Sequence, residues 1–199
     1  MLTVVLSMLA FALVGAISPG PVNIVATGAG ANYGFRGALP HVLGATLSYT
    51  LIVFLVGAGL NRLLVEFPQF TSVLQYAGSA FLLWMAWKIA SARPESLQED
   101  NRSEPPRIIE GALCQILNPK AWLVSVSGVS LFVSSQQPAE LFLLIFCAVS
   151  FAMCLIGVGS WALLGQLISG YLSSPARQVM FNRIMAALLV ASILTITNV

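Results

Sequence analysis

The sequence predicts an all-α integral membrane protein with six transmembrane helices, arranged as two inverted three-helix repeats with helices 1 and 4 broken at proline. Composition is the first reason. Of 199 residues, 58% are hydrophobic and only 8% charged, with a mean hydropathy of +0.90. A soluble domain carries about 25% charged residues. The second reason is length: six apolar stretches reach the ~20 residues that a ~30 Å hydrocarbon layer asks of a helix. The third is a pair of proline interruptions, one in the first apolar stretch of each half.

The six stretches are 2–32, 38–60, 68–90, 108–133, 139–168 and 178–198. The first holds the break Ser18-Pro19-Gly20-Pro21, and it begins without the basic region of a secretory signal, its first positive residue being Arg36. Pro68 precedes the third, Pro105-Pro106 the fourth, Pro138 the fifth and Pro175 the sixth, positions where a missing N–H costs little. Segments one and five exceed a simple span, as a broken or tilted helix does. The fourth holds Asn118-Pro119-Lys120.

Between the halves, 91–107 is polar, charged and aperiodic. It predicts a cytoplasmic linker joining a first membrane repeat, 1–90, to a second, 108–199. Three helices per half turn the second half upside down relative to the first. Lys and Arg set the orientation. Arg36, Lys88, Arg93, Arg102, Arg107, Arg177 and Arg183 fall on one side and Arg62 on the other, which places the odd loops in the cytoplasm and both termini in the periplasm. Trp84 and Trp87 beside Lys88 read as an interfacial anchor.

The two breaks carry the chemistry. Proline inside a helix costs about 3 kcal/mol, and a lysine in mid-bilayer roughly 2.5–3.5 kcal/mol on insertion scales. Paired interruptions of this kind point to a transporter binding site at the midplane. The residues after each proline start a half-helix whose first N–H groups lack intrahelical partners and favour an anion. Carbonyls freed around Ala16 to Ser18 and Gln115 to Leu117 offer acceptors for an ammonium group. Lys120 lies about 12 residues, or ~18 Å, into its span, too deep to reach water. No acidic residue lies deep in any span, Glu110 at the mouth of helix 4 being nearest. Anion donors beside ammonium acceptors describe a site for a zwitterion, an amino acid or a close relative. The substrate-binding set is Ser18, Pro19, Gly20, Pro21, Asn23, Gln115, Asn118, Pro119 and Lys120, with Ser48 and Tyr49 as cavity-lining candidates.

Bland readings compete. Pro-Gly-Pro also makes packing kinks, and Lys120 also serves as a structural plug held by carbonyls. His41, the only histidine, reads as a satisfied interfacial residue. Gly57, Gly59, Gly157 and Gly159 read as points of close helix approach, and such small-residue spacings permit a homodimer. Cys114, Cys147 and Cys154 are scattered in apolar stretches and read as small buried residues rather than a disulfide or zinc site. No phosphate loop, catalytic triad, paired carboxylates or basic–aromatic surface is present. The chain therefore reads as neither an enzyme nor a nucleic-acid binder, with no cofactor and no metal. Its partners are a small amino-acid substrate and the lipid bilayer.

These motifs resemble the LysE/RhtB translocators, small bacterial exporters of amino acids and derivatives. The likeness rests on Ser18-Pro19-Gly20-Pro21-Val22-Asn23-Ile24, Gly34-Phe35-Arg36-Gly37 and Leu117-Asn118-Pro119-Lys120-Ala121. Ala77-Gly78 and Trp84-Met85-Ala86-Trp87-Lys88-Ile89-Ala90 are similar to the branch that exports cysteine and O-acetylserine. Many members have Gly-Asp in helix 2, where this chain has Ser48-Tyr49, a departure that favours a small neutral substrate. The resemblance implies a secondary transporter of the bacterial inner membrane, driven by an ion gradient and working by alternating access. Its cargo would be of cysteine, O-acetylserine, threonine or homoserine type. A divalent-metal or other ion exporter of similar architecture and a non-transporting scaffold are the alternatives.

Overall fold

The structure, a computed structural model, describes residues 1–60, 68–91, 104–134, 136–172 and 174–197, with only the backbone for 60, 68–75 and 192–197. Most of the expected linker, and Arg62, Arg93 and Arg102, lie outside the described residues. The described elements are helical, with no strand among them. In chain order they are α1 (Leu2–Ile17), α2 (Pro21–Leu55) running into a π-helical turn (Val56–Leu60), α3 (Pro68–Ala90), α4 (Ile108–Ile116), α5 (Pro119–Phe132), α6 (Ala139–Ser169) with a short 3-10 turn (Gly170–Leu172), and α7 (Pro175–Thr197). Among the described residues, two stretches, Pro21–Gly59 and Ala139–Leu172, are long and apolar enough to cross a bilayer.

The sequence separates a first span ending at 32 from a second starting at 38. The chain instead stays helical throughout and reverses at one residue, Gly34, with φ 70° and ψ 171°. The reversal is visible in a contact: the His41 imidazole Nε2 lies 3.1 Å from the Val22 carbonyl. In a straight helix 19 residues span about 28 Å, so the arms before and after Gly34 must lie side by side. A side chain rarely tolerates this left-handed φ, and glycine does. The prolines sit at helix starts: Pro21, Pro68, Pro119 and Pro175 each open a helix, Pro138 is the cap before Ala139, and Pro105-Pro106 come just before the helix at Ile108.

Lipid supplies no hydrophobic drive between helices, so close packing of small residues joins them. α2 packs chiefly on α6 and α4, α1 on α6, and α3 on α7. A Cβ on Gly30 would strike the Ala162 carbonyl, and one on Gly44 the Ile108 carbonyl. Gly57 and Gly157 likewise face Leu143 and Ala16, as expected. Gly59 and Gly159 face open space instead, and Gly59 serves a φ of 111° at the π turn. Large apolar side chains such as Leu6, Val14, Leu47, Leu144 and Leu167 point outward. Outward leucines around a core that buries Asn23, His41, Thr46, Ser150 and Asn182 fit a chain solvated by lipid.

Candidate functional site

The two proline motifs meet. Between α1 and α2 the chain leaves helical geometry, with Ser18 extended at φ −64° and ψ 140°. Between α4 and α5 it does so at Leu117 and Asn118. From α5, Lys120 reaches across to the first break: its Nζ donates to the Ser18 carbonyl at 3.0 Å, the Ser18 Oγ at 2.6 Å and the Pro19 carbonyl at 3.3 Å. An ammonium has three donors, and all three are engaged.

These groups border one open cavity. Ser18, Gly20, Asn23, Gln115, Asn118 and Lys120 of the predicted set line it, as does Tyr49. Pro19 contributes its carbonyl to Lys120, while Pro21 and Pro119 open the two half-helices behind the lining. Ser48 is buried and does not line the cavity. Gly15, Val22, Val124 and Val158 supply apolar wall, with Cys154 also facing the space. Cys114 is buried and Cys147 partly so; all three cysteines are free thiols.

The freed carbonyls are largely occupied, which the sequence did not indicate. Asn23 Nδ2 donates to Ala16 at 2.8 Å and to Ser18 at 2.9 Å. Trp161 Nε1, on α6, donates to Ile17 at 2.9 Å, and Trp122 Nε1 donates to Ile116 at 2.7 Å. The reason is general: backbone groups away from water must find partners. The available signal was that two tryptophans in apolar runs carry indole N–H groups that need acceptors.

The helix starts also differ. Asn118 caps α5, its Oδ1 accepting from Lys120 N at 3.2 Å, so that N–H is not open to an anion. Gly20 precedes α2 with extended backbone and no side-chain cap. The first N–H groups of α2, at Val22 and Asn23, thus follow a helix start without a side-chain cap.

One group of residues escaped the sequence reading, and so did one pairing among residues it had named. Asn32 Nδ2 donates to Asn182 Oδ1 at 3.0 Å and Gln178 Nε2 donates to Asn32 Oδ1 at 2.9 Å, tying the first arm of α2 to α7. Their signal was amide side chains inside otherwise apolar runs. At the same end of α3, Lys88 pairs with Glu110 at 2.6 Å and sits 5.4 Å from the centroid of the Trp84 ring. Outside the helices, Arg107 beside it holds the exposed Glu104 carboxyl below its usual range. His41 is not the interfacial, satisfied residue expected: it is fully buried, with Nδ1 lacking any partner.

Comparison with known proteins gives the family. Residues 13–193 match the LysE type translocator family. A cysteine/O-acetylserine efflux protein of Salmonella typhimurium is 34% identical over 184 residues, covering 90% of each chain. Proteins of the same name from Klebsiella pneumoniae and Escherichia coli K12 are 31% and 32% identical, covering 94% and 90% of each chain. No solved structure matches. The chain belongs to the LysE type translocator family.

Proposed function

We propose that the protein exports a small neutral amino acid or derivative, of the cysteine and O-acetylserine type, across the bacterial inner membrane by alternating access. The observation that carries this is the span-crossing contact of Lys120 with Ser18 and Pro19 at one cavity. The relatives named as cysteine/O-acetylserine efflux proteins support it from the sequence side.

The substrate carboxylate binds the uncapped start of α2 and draws on the Lys120 charge, displacing the Pro19 carbonyl, the longest of the three lysine bonds. The ammonium is received by the Pro19 carbonyl that this displacement frees. The lining holds no carboxylate, which disfavours a cationic substrate. A metal exporter needs converging ligands, and among the described residues no group of three His, Cys, Asp or Glu side chains forms one.

The architecture in this reading is six spans in two inverted repeats, 1–90 and 108–199, joined by a cytoplasmic linker, with both termini periplasmic. Support comes from the pairing of helices: α1 packs on α6 as α4 packs on α2, and α3 packs on α7. The test is efflux of radiolabelled cysteine and O-acetylserine from cells making the protein, with threonine, homoserine and lysine alongside. Export of the first two, lost in Lys120→Ala at equal membrane level, is the expected result. Lysine export, or full activity without Lys120, overturns it.

A further inference from the structure

The proposed cargo offers three groups to the cavity, a carboxylate, an ammonium and a side chain, and the two breaks engage only the first two. Asn23 is spent on the Ala16 and Ser18 carbonyls, and Asn118 on Lys120 N and Gln115. The opposite part of the lining comes from stretches remote in sequence from either break. The second arm of α2 supplies Tyr49, and α6 supplies Cys154 and Val158. Val124 of α5 closes that part tightly: a Cβ on Gly15 would stand 3.1 Å from its Cγ1. Of these four side chains, only Tyr49 and Cys154 carry a heteroatom. Tyr49 is 5% exposed, and its hydroxyl is flanked by Ser125 of α5 and Cys154 of α6. Ser125 Oγ gives its own hydrogen to the Ala121 carbonyl at 2.7 Å, so it faces Tyr49 as an acceptor and stays paired without it. The phenol therefore has lone pairs to receive an S–H or O–H, and an O–H free to turn toward an ester oxygen.

We propose that Tyr49 selects the side chain of the cargo, its hydroxyl pairing with the sulfur or oxygen of a short neutral chain; this rests on the export reading above. The site is then divided by helix. The breaks hold the two charges common to every amino acid, and the second arm of α2 with α6 reads what differs between them. A wall of two valines and a thiol, interrupted by one phenol, suits a chain with a single polar atom. An aliphatic chain of the same length leaves that phenol facing a methyl group, and a site built to pair a polar group discriminates against the analogue that lacks it. The wall carries no charge to meet an ionised side chain.

The test compares two cargoes in proteoliposomes: cysteine, kept reduced, and 2-aminobutyrate, in which a methyl group stands where cysteine has its thiol. The wild type should move cysteine with the higher kcat/KM. In Tyr49→Phe, which keeps the ring and removes only the oxygen, that preference should fall by about three- to tenfold, the worth of one hydrogen bond. The loss should lie in cysteine, with 2-aminobutyrate unchanged. Both cargoes are read on one preparation, so the ratio does not depend on the amount of folded protein. An unchanged ratio in Tyr49→Phe, or a wild type without a preference, overturns the proposal. Equal loss of both cargoes marks a structural role for the hydroxyl and overturns it too. Cys154→Ala should keep most of the preference; a ratio that falls there and not in Tyr49→Phe makes the thiol the selector and sinks the assignment. A wild type that moves neither cargo is a different outcome: it ends the export reading, and this inference with it.

Discussion

At the break between α1 and α2 the helix start is bare, and the carbonyls are held by donors brought from afar: Lys120 on α5 and Trp161 on α6, with Asn23 adding its amide. At the break between α4 and α5 the arrangement is local. Asn118 caps its own helix, Gln115 is the partner of Asn118, and Trp122 serves Ile116 from six residues away. The first break is thus assembled by tertiary structure, and it can open only if other helices move. The second is self-contained and offers a rigid base from which Lys120 projects. The two motifs are thus an unequal pair, which under the proposed function makes one a receptor and the other a support.

Removing Lys120 tests this most severely. Lys120→Ala takes the lysine donor from the Ser18 hydroxyl and the Pro19 carbonyl, while the Ser18 carbonyl keeps Asn23 Nδ2. Efflux should fall by about ten- to a hundredfold at equal membrane level; unchanged efflux breaks the comparison outright. Next is the pair Trp161→Phe and Trp122→Phe. Each orphans one carbonyl at a similar stability cost of about 1–3 kcal/mol. Only the first should also raise the KM for export, because only it loosens the receptor. Equal KM effects would mean that both breaks bind cargo.

Asn118→Ala removes a helix cap worth about 1 kcal/mol. It should lower thermal stability in detergent. The smallest effect is expected at Gly20→Ala. A Cβ there meets Lys120 Nζ at 3.6 Å, an ordinary contact, and the backbone, at φ −177°, is extended and suits any residue. Stability should hold while KM rises a few-fold; a change in stability without one in KM would reverse the roles drawn for the two breaks.

Much of the fold was legible because the bilayer imposes it. Apolar runs of span length and prolines at helix starts are local properties, and Pro68, Pro119 and Pro175 open helices accordingly. The reversal at Gly34 was not legible, since it replaces an expected loop by a single residue of positive φ. Of the site, Ser18, Asn23, Gln115, Asn118 and Lys120 were visible from motif spacing and line one cavity. Trp161, Asn32, Gln178 and Asn182 were not, because their partners lie on distant segments.

By itself, the order of residues determined that this chain is helical, lipid-solvated and interrupted twice, because those outcomes depend on neighbours along the backbone and on the solvent around it. Which carbonyls remain open, which helix start is bare and how deeply His41 is enclosed were decided only when separate helices came together. A hydrogen bond needs a partner within about 3 Å, and a lone strand of text does not say which partner arrives.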